Sequence, residues 1–154
     1  MNLKSYWIDR DQQMILLRAY TAVLLGILTV ALMNGKKIIA AVYPDSAGSW
    51  LTAFFIIVIF CGGAMILSPA AICAEIRNWK LKKGLYIVST VNSCLGTLFF
   101  LLMFVIEKND ISENLHRTRA EEANFYFFVL LLIFYLATLI VPVALKKAKR
   151  YYEK

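Results

Sequence analysis

WLTAFFIIVIFCGGAMILSPAAICAE, residues 50–75, carries no charged side chain before its last residue, Glu75. A hydrocarbon core of about 30 Å is crossed by about 20 helical residues, so the run is long enough to span a bilayer. No water is present there to pair with the backbone, and a helix satisfies every N–H and C=O within the segment. A barrel strand would need alternating polarity, which is not visible. Three further runs read the same way, Met14 to Met33, Gly84 to Ile106 and Phe125 to Leu145. The predicted fold is all-α: one membrane domain over residues 1–154, a bundle of four transmembrane helices. Asn34-Gly35-Lys36-Lys37 is expected to close the first span, Trp50 to mark a headgroup boundary, and Pro69 to kink the second span by removing a backbone donor.

Composition agrees. The 154 residues are 60% hydrophobic and 18% charged, against the 45–50% apolar share of an ordinary soluble domain. Four spans consume roughly half the chain and leave no room for a separate soluble domain. The net charge of +7 sits at the ends of apolar runs, not in an aromatic-interleaved patch, so no nucleic-acid partner is expected. Cys61, Cys73 and Cys94 lie inside apolar segments without CxxC spacing and read as inert thiols. His116 is the sole histidine, so neither a multi-histidine metal site nor a cofactor-binding or catalytic constellation is expected. The first run exceeds a signal-peptide core and lacks a cleavage site, so it is expected to stay as an anchor.

Lys and Arg retained on the cytoplasmic side set orientation. Lys4, Arg10, Arg18, Arg77, Lys80, Lys82, Lys83, Lys146, Lys147, Lys149, Arg150 and Lys154 fall on one side, and Lys36, Lys37, Lys108, Arg117 and Arg119 on the other. Both termini are therefore expected in the cytoplasm, with residues 146–154 a basic tail beneath an anionic leaflet.

Helices in lipid associate through close contact of small residues. The first span offers Ala19, Ala22, Gly26 and Thr29, the second Cys61, Ala64, Ser68, Ala71 and Glu75, and the third Ser89, Ser93 and Thr97 beside Asn92 and Gly96. These three stripes are expected to face one another. The fourth span opens Phe125-Tyr126-Phe127-Phe128 and continues to Phe134 and Tyr135, a bulky surface expected to face lipid or a partner; only Ala137-Thr138 is expected to dock, with the upper half splaying outward.

Polar groups within spans are the candidates for helix contacts or function: Arg18, Glu75, Asn92, Ser68 and Ser93. Glu75 either couples proton or cation movement or forms an interfacial pair with Arg18, the plainer reading. Asn92 either lines a path or bonds a neighbouring helix. Gly62-Gly63 and Ser68-Pro69 read as a packing kink. In the outer loop, residues 107–124, the i,i+4 pairs Glu113/Arg117 and Arg117/Glu121 predict a short solvated helix capped by Asp110. Glu113, His116, Arg117 and Arg119 are its candidate partner contacts.

The start Asp9-Arg10-Asp11-Gln12-Gln13-Met14-Ile15-Leu16-Leu17-Arg18-Ala19 resembles the Asp-Glu-Arg…Ile…Lys-Ala opening of small uncharacterised bacterial four-span membrane proteins. Asp9, Ile15, Arg18 and Ala19 match in spacing, while the second and third acidic-basic positions are exchanged. The resemblance implies a bacterial cytoplasmic membrane protein. Arg117-Thr-Arg-Ala-Glu-Glu-Ala-Asn124 resembles the signature of the membrane-associated glutathione-transferase family, but it precedes the fourth span where that family carries it near the second, so that enzyme reading is disfavoured. Membrane disulfide-exchange enzymes need paired loop cysteines, which this chain lacks. The functional expectation is a non-enzymatic accessory subunit of a larger membrane complex such as a transporter, its partners being the lipid bilayer and another membrane protein or itself. The alternatives are an immunity protein against a membrane-active peptide or toxin, and a small homo-oligomeric transporter or channel.

Overall fold

A computed structural model describes residues 10–41, 44–113 and 119–152. Those residues form four helices, α1 (Arg10–Ala41), α2 (Pro44–Ile76), α3 (Lys82–Glu113) and α4 (Arg119–Tyr152). Each holds a segment long and apolar enough to cross a membrane: Gln12–Gly35, Phe54–Ile76, Lys82–Ile106 and Asn124–Lys147. The outer surface carries a belt of exposed large apolar side chains, among them Val23, Ile59, Ile66, Leu95 and Leu98. Water-soluble monomers do not expose apolar surface on this scale. The protein is a multi-pass, all-helical membrane protein.

The helices outrun the predicted spans. The apolar segment of α1 ends at Gly35, within Asn34-Gly35-Lys36-Lys37 as expected, but the helix itself continues to Ala41; once nucleated, each added residue gains a backbone bond, and one glycine does not outweigh that. Gly35 has a packing role instead. A Cβ there would lie 2.5 Å from Phe54 and 3.1 Å from Phe127, two rings that stack with centroids 6.4 Å apart. α2 starts at Pro44, before Trp50, because the first helical position needs no N–H. The separate outer-loop helix is also corrected: Asp110 lies inside α3, which runs to Glu113, and α4 begins at Arg119. The chain passes through Pro69 and Pro142 within continuous helices.

α2 and α3 are joined by a tight turn. The Trp79 N–H donates to the Ala74 carbonyl at 2.9 Å and Asn78 sits at φ 55°, the six-to-one bond and left-handed residue that close a helix C-terminus. The Lys82 ammonium donates to the Asn78 side-chain carbonyl, tying the turn to the start of α3.

Neighbouring helices pack in chain order, and α4 returns to α1. α2 and α4 also meet across one diagonal, whereas the α1 and α3 backbones do not approach each other closely among the described residues. The three small-residue stripes therefore do not converge. Those of α2 and α3 do face inward, with Cys61, Ala64, Ser68, Ala71, Ser89 and Ser93 buried. That of α1 faces outward: Ala19, Ala22, Gly26 and Thr29 are exposed, and α1 buries Leu17, Leu24, Leu28 and Ala31.

The expectation for α4 is reversed as well. Phe127, Phe128, Leu131, Phe134 and Tyr135 are buried, a stripe at helical spacing that forms the centre of the core with Leu24, Leu28, Cys61, Ala64 and Phe100; Thr138, expected to dock, is buried as well. The physical reason is volume. Close packing leaves few voids, and the small faces of α2 and α3 leave space that bulky rings of a fourth helix fill. The Tyr135 ring shows this fit: it stacks on Phe100 with centroids 5.4 Å apart and lies where a Cβ on Gly96 would be.

Candidate functional site

Among the described residues, polar groups gather at three places that bear on function. The first is a buried hydroxyl chain. Tyr20 Oη and Ser68 Oγ are 2.7 Å apart, and Ser68 Oγ lies 3.4 Å from the Thr138 carbonyl. The Tyr20 hydroxyl also lies 3.4 Å from the Ala137 carbonyl; each hydroxyl has one proton, so one of the pair donates to the other and the second donates to a backbone carbonyl of α4, Thr138 for Ser68 or Ala137 for Tyr20. Thr138 in turn donates to the Tyr135 carbonyl at 2.8 Å. This chain joins α1, α2 and α4 at the level of Pro69 and is structural.

The second lies at the end of the bundle that carries the α2–α3 turn. Glu75, Gln13, Tyr86, Pro142 and Lys146 line a small crevice of about 40 Å³ where all four helices converge. Lys146 Nζ sits 3.9 Å from the centroid of the Tyr86 ring, a cation–π contact between α3 and α4. Arg18 lines a different, open crevice between α1 and α2, with Thr21, Ala22, Pro69, Cys73 and Trp79.

The third is a cleft of about 270 Å³ between α2 and α3, floored by Phe100 and by Tyr135 of α4. Its walls are Ile56, Ile57, Phe60, Leu95, Gly96 and Phe99, and its one amide is Asn92. Asn92 Nδ2 is buried and has no hydrogen-bond partner. Asn92 is ten residues, about 15 Å of helix, beyond Lys82, which puts it near mid-membrane depth. Ser93 Oγ beside it is likewise buried and unpartnered.

Glu113 ends α3 and Arg119 begins α4, while His116 and Arg117 lie outside the described residues, and with them the pairs that Arg117 would form. Sequence reasoning missed Tyr20, placed Tyr135 on an outward face, and singled out Thr138 only as a docking contact. A buried tyrosine needs a partner for its hydroxyl, and Tyr20, six residues into the first span, carried that signal.

No family model, curated protein or solved structure matches the chain.

Proposed function

We propose that the protein is a non-enzymatic subunit of a bacterial cytoplasmic membrane complex, such as a transporter, docking on another transmembrane chain through α1. The observation that carries this is the outward Ala19-Ala22-Gly26-Thr29 face. A Cβ on Gly26 would meet nothing within 4 Å, so no packing inside the bundle calls for the glycine. Lipid gains nothing from small residues, whereas a second helix approaches closely only where they lie. The unequal distribution of Lys and Arg supports a topology with both termini in the cytoplasm.

Purification in mild detergent tests the reading. A foreign membrane subunit is expected at fixed stoichiometry, and Gly26→Leu with Ala22→Leu should release it while the bundle stays folded. A pure homo-oligomer released by the same substitutions would favour the self-associating reading, and full retention of the partner by the double variant would remove α1 as the docking face.

A further inference from the structure

The α2–α3 cleft has the chemistry of a small-molecule site, distinct from the α1 face. Its volume of about 270 Å³ is far above the ~30 Å³ share of one water and close to the lower bound of ligand pockets, about 300 Å³. The lining includes the rings of Phe60, Phe99, Phe100 and Tyr135 and no charged side chain. Such walls favour a neutral, flat molecule that stacks against them. At one point the lining is not apolar: Asn92 borders the cleft, and its Nδ2, enclosed and unpartnered in this rotamer, calls for an acceptor that a turn of the side chain toward the cleft would supply.

Depth narrows the class. The ester carbonyls of a glycerolipid lie at the membrane interface, about half the ~30 Å hydrocarbon thickness from the midplane. Asn92, about 15 Å of helix beyond Lys82, is too deep for them. An acyl chain would reach it but offers no acceptor. We propose that the cleft binds a neutral, membrane-soluble ring compound bearing a carbonyl, of the quinone type, with its oxygen accepting from Asn92 Nδ2 and its ring against Phe99, Phe100 and Tyr135. Gly96 shapes this site, since without a Cβ it lets the Tyr135 ring form the floor.

The test uses the full chain in phospholipid nanodiscs, with 2-methyl-1,4-naphthoquinone and 2-methylnaphthalene, which keeps the fused rings and lacks the carbonyls. Binding is measured above that to empty nanodiscs. Saturable binding of the naphthoquinone at one per chain is expected, at least about tenfold tighter than the hydrocarbon, as the loss of a hydrogen bond from a buried donor predicts. Asn92→Leu should bring the two compounds to equal affinity. Leu95→Trp, which keeps the amide and fills the cleft, should abolish binding of both while circular dichroism stays helical. Equal affinity of the two compounds in the unmodified protein would overturn the proposal, as would naphthoquinone binding that survives both substitutions. So would an Asn92-dependent dimer that binds neither compound, because the amide would then serve a second copy.

Discussion

The hydroxyl chain from Tyr20 through Ser68 to Thr138 is where single atoms hold helices together. In hydrocarbon, helices separated from one another still find partners for their polar groups, so each such bond is worth less than its isolation implies. Tyr20→Phe is expected to destabilise the bundle by about 0.6–1.5 kcal/mol, read as a lower midpoint in sodium dodecyl sulfate titration. A value near zero would mean that Ser68 and Thr138 hold α2 and α4 without α1. Gly96 behaves differently. Its Cβ would occupy the Tyr135 ring, so Gly96→Ala should displace Tyr135 and lower the midpoint, and Tyr135→Leu should partly restore it. Serine and glycine were legible in the sequence as small packing residues. The tyrosines they serve were not, because a ring's neighbours lie on other helices.

The α2–α3 turn depends on Asn78, whose φ of 55° is reached cheaply by glycine and asparagine and at a cost by other residues. Asn78→Gly should leave stability within about 0.5 kcal/mol, whereas Asn78→Val should lower it by about 1–2 kcal/mol. A midpoint unchanged by Asn78→Val would show that the turn does not constrain the hairpin. For α4, the buried Phe134 is the informative position. Phe134→Ala in a water-soluble core would cost about 3–5 kcal/mol. Here the separated helices stay in lipid, so only the lost packing counts, and a smaller penalty is expected in the same titration. Sequence reading located α4 and missed its role: bulky apolar residues suit lipid and core alike, so size alone cannot assign a helix face.

Taken as one body, the bundle brings the start of α1, the α2–α3 turn and the end of α4 together, as the crevice shared by Gln13, Glu75, Tyr86 and Lys146 shows. That end collects most of the Lys and Arg. A fluorescent protein fused after Lys154 should therefore be bright in cells, and alkaline phosphatase fused there should be inactive; the opposite pair would invert the proposed topology. Four spans, their approximate limits and this charge asymmetry were determined by the sequence alone, because hydrocarbon thickness and the cost of unpaired backbone act on each segment separately. Which faces meet was decided only by tertiary structure. The outward turn of the α1 stripe, the burial of the α4 rings and the cleft beneath Asn92 all follow from filling one shared volume with side chains from four helices, a condition no single segment records.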